Sequence, residues 1–452
     1  MDAILKSITD FACGLTYDDV PENAVTAARE RLVDTLGCAL GAFECDTANV
    51  GRKLAGPPAS DAMGGRIIGE TAHLAADAAA FVNCCMLRNL DFNDTYPGSH
   101  PSDAMAGLFT VAPISGVSGK KLITAIVVAY ETILRHIIAA NPNEHGFDQG
   151  TAIGMGAAAG LANMLGLSPE VTAHAVSITT VGNMQLRATR SGELSMWKGC
   201  ATAYAVRNAV YAVHLARAGM TGPAEPFLGR DGLVDHYPKP FEWVPYGNAP
   251  EDFHIPQANI KCWPVAYQMQ AAAWCGIELG KLTKAEDIVS IEVEANAFAV
   301  FESGGEPEKW DPKTKGTADH SLPYILAWGL KHGAIEEKAF TPESYLDPAT
   351  RPLLNKITVE VSEEFTQQYP AEMHMRATAT DKNGAKHVAD ILNPVGHRLN
   401  PMSLTEIGEK FTRLAAPQLG AKNVTTALEH LKTIEKAENV KSAFDAMEVI
   451  KV

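Results

Sequence analysis

Three stretches of this chain gather residue types that bind anions or move protons. The first, Asp91-Phe92-Asn93-Asp94-Thr95-Tyr96-Pro97-Gly98-Ser99-His100-Pro101-Ser102-Asp103, is dense in Asp, Asn, Gly, Pro and Ser, the composition of a loop where polar groups converge on a ligand. The same residues also make caps and turns, so composition alone leaves structural roles for Asp91, Asp94 and His100 open. The second runs from Arg187 through Arg190 and Lys198 to Gly199. Its arginines suit bidentate pairing with carboxylates, and Lys198 suits a point charge or proton donor; the alternative is a solvated basic loop in which Trp197 packs. The third, Thr317-Ala318-Asp319-His320-Ser321, offers an imidazole for proton transfer near neutrality, with Asp319 placed to orient it or to cap a helix. Lys261, in Lys261-Cys262-Trp263-Pro264, is either a surface charge or a ligand to an anion.

A metal held by Asp91, Asp94, His100 and Asp103 is conceivable from the donor atoms, but no His-x-x-x-His or paired-cysteine spacing places ligands on one face. The eight cysteines are scattered without a Cys-x-x-Cys pair, which suggests neither a disulfide scaffold nor an iron–sulfur site and fits a reducing compartment.

Helices must position most of these groups. Glu22–Phe43 places Val25, Ala28, Leu32, Leu36 and Leu40 at three- and four-residue spacings, and similar runs cover Ala72–Leu90, Lys120–Ala140 and Met196–Gly219. Thr151–Leu167 is apolar but short for a membrane span and rich in Gly and Ala, which predicts a buried helix whose neighbours approach closely. Ser168-Pro169-Glu170 then opens the next helix. After Gly280 the period changes to two: Ile291–Ala295, Ile357–Val361 and Met373–Ala377 read as strands with one wet face. Asn383-Gly384 predicts a tight turn into a strand over Ala385–Leu392, and Ser321–His332 predicts a helix. The helical pattern returns at Ser403-Leu404-Thr405-Glu406, the spacing of a capping box. The expected fold is mainly α: a large multihelical domain, 1–264 with 397–452, and a smaller α+β domain, 265–396, inserted before the C-terminal helices. A small-molecule site is expected in a cleft between them.

The chain has 452 residues, 46% hydrophobic and 20% charged, with 38 Lys+Arg against 53 Asp+Glu and a formal charge of −15. That composition is globular, and its sign excludes affinity built on neutralising nucleic-acid phosphates or an anionic membrane. Met1-Asp2-Ala3-Ile4-Leu5-Lys6 has neither a secretory nor a transit pattern, so a cytoplasmic location is expected.

Taken in order, Arg31–Cys38, the Asp91-to-Ser102 loop, Tyr130-Glu131, Ser195-Met196-Trp197-Lys198, Gly219–Pro223, Lys261–Pro264, Ala318–Ser321 and Asn393–Met402 resemble the MmgE/PrpD family of 2-methylcitrate dehydratases and cis-aconitate decarboxylases. The resemblance implies a helical domain beside an α+β domain, a homodimer, a di- or tricarboxylate substrate and no metal or organic cofactor. Asp91, Thr95, His100 and Lys198 match family active-site positions, and His320 lies in the small-domain histidine motif. Decarboxylase members carry His at the positions of Asp148 and Ala266 and Tyr at that of Leu322, which argues against decarboxylation. Dehydratase members carry an acid and a His after Pro264, where this chain has Val265-Ala266-Tyr267-Gln268.

The implied chemistry is removal of a proton next to a carboxylate, giving a carbanion that needs facing cations or donors. The expected base is Asp91 or His100, assisted by Lys198 or His320, with Thr95, Arg187, Arg190, Lys261 and Tyr267 as substrate contacts. The leading expectation is dehydration of a hydroxy di- or tricarboxylic acid. An epimerase or isomerase of a dicarboxylate such as iminodisuccinate is the rival; a decarboxylase and an inactive binding homologue are weaker alternatives.

Overall fold

The computed structural model describes residues 1–190 and 195–449. The chain divides into two compact units, Met1–Ala258 with Ser403–Val452, and Asn259–Met402.

The first unit is built from α1 (Ala3–Gly14), α2 (Glu22–Gly41), α3 (Asp46–Arg52), α4 (Ala76–Asn89), α5 (Met105–Ser115), α6 (Gly119–Ala140), α7 (Gly150–Leu165), α8 (Pro169–Gly182), α9 (Ala201–Arg217) and the helix Leu404–Lys432. Their starts are chemically marked: Asp2, Ser118 and Ser168 accept hydrogen bonds from the backbone N–H groups of Leu5, Lys121 and Val171, satisfying donors the first helical turn leaves unpaired. The α6–α7 pair shows why α7 is rich in glycine. A Cβ on Gly156 would lie 2.5 Å from the carbonyl oxygen of Ala129, and one on Gly160 would lie 2.8 Å from that of Ala125. Among the described residues, α6 is the helix long and apolar enough to cross a membrane, and 89% of its apolar window is buried inside the protein.

The Leu404–Lys432 helix opens with the Ser403–Glu406 capping box and kinks at Gly420, whose φ is 74°. It packs along α2, with Phe411 and Leu414 seated over Gly37 and Gly41. From it Lys410 reaches Asp34 Oδ1 at 2.6 Å and the carbonyl oxygen of Phe92 at 2.8 Å, pinning the start of the 91–103 loop to two helices.

The second unit carries a four-stranded sheet in the order β4-β3-β5-β6, with β3 Ile288–Ala295, β4 Ile357–Val361, β5 Met375–Asp381 and β6 Lys386–Ile391. Strand β3 pairs parallel with β4, Ile291 opposite Ile357, and antiparallel with β5, Val293 opposite Ala377. Ile291, Val293, Met375, Ala377 and Ala379 fill the buried face, as the period of two requires. Over this face lies α10 (Met269–Leu282), packed against the helix Leu322–His332. Gly276 and Gly329 permit that approach: a Cβ on either would meet a backbone oxygen of the other helix, at 2.2 Å and 2.9 Å.

Three local expectations need correction. The run from Met196 begins as a 3-10 turn, Met196–Gly199, and α9 starts only at Ala201 because Cys200, with φ −112°, interrupts the helix. The third strand begins at Met375 rather than Met373 and extends to Asp381. The helical run expected from Ala72 begins only at Ala76, because Leu74–Ala75 (β2) pairs antiparallel with Gly64–Gly65 (β1) in the first unit; these two-residue strands are too short to show a period.

Candidate functional site

The 91–103 loop leaves the end of α4 through Asp91, which sits in the left-handed region at φ 49°, a conformation costing most L-residues roughly 1–2 kcal/mol and tolerated best by Asn and Asp. Arg88, on the last turn of α4, anchors it. Its Nη1 donates to Asp91 Oδ1 at 3.2 Å and to Asn93 Oδ1 at 2.9 Å, and its Nε lies 3.4 Å from Asp103 Oδ2. Asn93 in turn donates to Ser102 Oγ and Asp103 Oδ1, both at 2.8 Å. Burial pushes the Asp103 carboxyl up to about 6, against the opposing pull of Arg88.

Asp94 organises the loop's centre. Its Oδ2 accepts from the Tyr130 hydroxyl at 2.7 Å and faces Arg31 Nε at 4.0 Å, while Oδ1 accepts the Ser102 N–H at 3.1 Å. Its backbone oxygen lies 2.7 Å from His100 Nδ1. A carbonyl can only accept, so Nδ1 carries a proton, and in the neutral ring Nε2 is the basic nitrogen. That Nε2 lies 3.7 Å from Asp91 Oδ1. Gln149 of the α7 entry accepts the His100 N–H at 2.7 Å. Asp91 and His100 are therefore brought together as a carboxylate–imidazole pair with a fixed tautomer. Thr95 is 5% exposed, and its hydroxyl donates to the Ser99 carbonyl at 3.3 Å.

The second stretch is split by the undescribed residues 191–194. Arg187 and Arg190 lie on the turn Arg187–Arg190, half-buried, and that turn packs against Met196–Gly199, which carries Lys198 and itself packs on α4. Ser195 Oγ accepts the Trp197 N–H at 3.3 Å, setting the Lys198 turn. Arg190 meets an internal carboxylate: its Nε and Nη2 lie 2.5 Å and 3.3 Å from the two oxygens of the fully buried Asp148.

In the second unit, His320 Nδ1 lies 2.6 Å from Asp319 Oδ1, and Lys315 Nζ lies 3.3 Å from Asp319 Oδ2. Asp319 thus orients the imidazole, leaving Nε2 as the basic nitrogen of the neutral ring. The Asp319 carbonyl accepts the Ala266 N–H at 3.0 Å, which sets the His320 turn beside Tyr267. Lys261 is 1% exposed, and burial raises the Tyr267 phenol above its ordinary value.

Sequence reasoning passed over Arg88, Gln149 and Gln270. Gln270 Oε1 accepts the N–H groups of Cys262 and Trp263, both at 3.1 Å, and its Nε2 donates to the Trp263 carbonyl at 2.8 Å, fixing the segment after Lys261. Only the three-residue step from Arg88 to Asp91 was a usable local signal; the glutamines act across distances the sequence does not display. Among the described residues, no group of three or more His, Cys, Asp or Glu is arranged to hold a metal ion.

The fold is thus mainly α, with a smaller α+β unit inserted before the last long helix, and the first unit carries an oriented carboxylate–imidazole pair. Residues 6–245 match the MmgE/PrpD N-terminal domain and residues 263–434 the MmgE/PrpD C-terminal domain, so the chain belongs to the MmgE/PrpD family. It is similar to the 2-methylcitrate dehydratase of Cupriavidus necator, 28% identical over 92% of this chain and 90% of that one. It is also similar to 2-methylcitrate dehydratase of Escherichia coli (strain K12), 27% identical over 82% and 86%. The mitochondrial 2-methylcitrate dehydratase of Yarrowia lipolytica is 26% identical over 91% and 84%.

Proposed function

We propose that this chain is a hydro-lyase that abstracts a proton next to a carboxylate and eliminates water from a hydroxy di- or tricarboxylic acid, as the names of its relatives suggest. The observation that carries the reading is the Asp91–His100 pair, with the imidazole tautomer set by the Asp94 carbonyl. His100 Nε2 takes the C–H proton, and Asp91 stabilises the imidazolium that results. Lys198 faces the substrate carboxylate, holding the carbanion's charge or passing a proton to the departing hydroxyl; the C–O bond then breaks and water leaves. Arg187 contributes a second cation. Arg190, engaged by Asp148, holds the 187–190 turn in place, and Thr95 holds the loop's inner turn. The Asp319–His320 dyad, Lys261 and Tyr267 of the second unit are assigned acid–base and substrate-binding roles. Because side-chain cations supply the positive charge, no metal or organic cofactor is required. The assembly is a homodimer acting in the cytoplasm.

The test is a panel of 2-methylcitrate, citrate, tartrate, cis-aconitate and iminodisuccinate, followed by absorbance of the unsaturated acid and by proton exchange in NMR. Elimination that survives exhaustive chelation and falls about 10²–10⁴-fold in Lys198→Ala supports the reading. Restoration by a divalent ion after EDTA contradicts cofactor independence. Exchange without elimination replaces the lyase with an epimerase.

A further inference from the structure

The sequence scatters its cysteines, but the fold brings two of them together. Cys85 lies on α4, the helix that delivers Asp91, and Cys200 follows the Lys198 turn directly and caps α9. Both are buried, Cys200 at 5% exposure and Cys85 at zero, and their sulfurs are 3.7 Å apart, the Cys85 thiol donating to Cys200 Sγ. We propose that Cys85 and Cys200 form an oxidative modification site, closing to a disulfide with hydrogen peroxide as oxidant and thereby switching off the site that Lys198 serves.

Polarity assigns the roles. The Cys200 thiol is lowered from its ordinary value, chiefly by the hydrogen bond from Cys85, with help from the Thr47 hydroxyl against the opposing effect of burial. Its place at the start of a 17-residue helix favours the thiolate further. The Cys85 thiol is raised, by that same hydrogen bond and by burial. Cys200 is therefore the attacking sulfur. Its thiolate attacks peroxide, an S–O bond forms, the O–O bond breaks and the departing hydroxide leaves as water once protonated. Cys85 then attacks the sulfenic sulfur, the S–S bond forms, the S–O bond breaks, and the Cys85 proton leaves with the hydroxyl as a second water. Two thiols are oxidised and one peroxide is reduced to two waters.

A disulfide holds its sulfurs about 2.05 Å apart, so they must approach by about 1.7 Å. Any share of that approach taken up by the Cys200 backbone is passed to the Lys198 turn, because the Cys200 N–H donates to the Trp197 carbonyl at 2.9 Å. Displacement of a positioning element by about 1 Å can cost on the order of 10²-fold in rate. This consequence rests on the proposed lyase reading; the cross-link itself does not.

The experiment treats the full-length protein with hydrogen peroxide, maps cross-links by non-reducing peptide mass spectrometry, and measures turnover before and after dithiothreitol. A Cys85–Cys200 disulfide, a loss of turnover of about 10²-fold and recovery on reduction are expected. Cys85→Ala and Cys85→Ser are expected to keep basal turnover and to lose the cross-link, while Cys84→Ala retains it; circular dichroism checks the fold of each. Peroxide that leaves both thiols reduced, or drives Cys200 to sulfinic acid without a cross-link, overturns the proposed site. A cross-link with unchanged turnover overturns the switch and leaves the lyase reading standing. Absence of turnover before treatment defeats the lyase reading and with it the switch, while the mass map still decides the cross-link.

Discussion

The 91–103 loop and the β3–β6 sheet both carry polar side chains and treat them in opposite ways. In the sheet, Glu292 is exposed, Glu294 and Arg376 are half-buried, and the apolar residues alternate with them into the core. In the loop, Asn93, Asp94, Ser102 and Asp103 are fully buried. Burying such groups is unfavourable unless partners are supplied, and the partners come from elsewhere: Arg31 of α2, Arg88 of α4, Tyr130 of α6 and Lys410 of the last long helix. The sheet is held by a repeating pattern, whereas the loop is held by a set of individual contacts. A fold organises so many buried polar groups around one loop where it must fix a geometry that solvent would otherwise blur.

The largest expected effect is on the buried side of this contrast. Arg88→Ala leaves the Asp91 and Asp103 carboxylates without their shared cation, and breaking a buried pair from one side costs about 3–5 kcal/mol. Denaturant titration should show that loss. A change under 1 kcal/mol would mean that water replaces the guanidinium and that the loop is not rigidly held.

Next comes a pH effect within the first unit. Burial lowers His136 to about 3, and its Nε2 lies 3.1 Å from the Tyr237 hydroxyl. The folded state therefore binds fewer protons than the unfolded state, whose histidine titrates near 6.5. The resulting stability is fully present above about 6.5 and is lost as pH falls toward 3, with a limiting slope of about 1.4 kcal/mol per unit. Between pH 7.5 and 5.5 the protein should lose about 1 kcal/mol that His136→Gln does not lose. Parallel pH dependence in the two proteins would assign the titration elsewhere. The smallest effect belongs to the sheet: Arg376→Ala removes pairs with Asp390 at 3.0 Å and Glu294 at 3.4 Å, and at a solvated surface this should cost less than about 1 kcal/mol. A larger loss would bring the sheet's wet face closer to the loop in character.

The same contrast explains what the sequence makes legible. Period two located Ile357–Val361 to the residue, and the Asn383-Gly384 turn follows from Gly384 at φ 82° with Asp381 Oδ1 accepting the N–H groups of Asn383 and Ala385. The capping box at Ser403 and the close helices at Gly156 were likewise readable from local chemistry. The parallel pairing of β3 with β4 was not, because a crossover leaves no mark within either strand. In the loop, composition flags the segment but does not show that His100 Nδ1 meets a carbonyl, and outside it nothing local shows that Asp148 engages Arg190 or that Cys85 meets Cys200. Each of those contacts joins residues whose types alone admit several partners.

His100 carries the proton transfer proposed for this site. On the best substrate of the panel, kcat/KM should be measured against pH for the parent and for His100→Gln, together with solvent deuterium entering the position next to the carboxylate. If Nε2 is the base, the parent's kcat/KM falls as His100 becomes protonated at low pH, and the variant loses that limb, its deuterium exchange and most of its turnover while its circular dichroism is unchanged. A variant that keeps the acid limb, the exchange and the rate would contradict the assignment, return His100 to holding the loop, and make His320 the next imidazole to test.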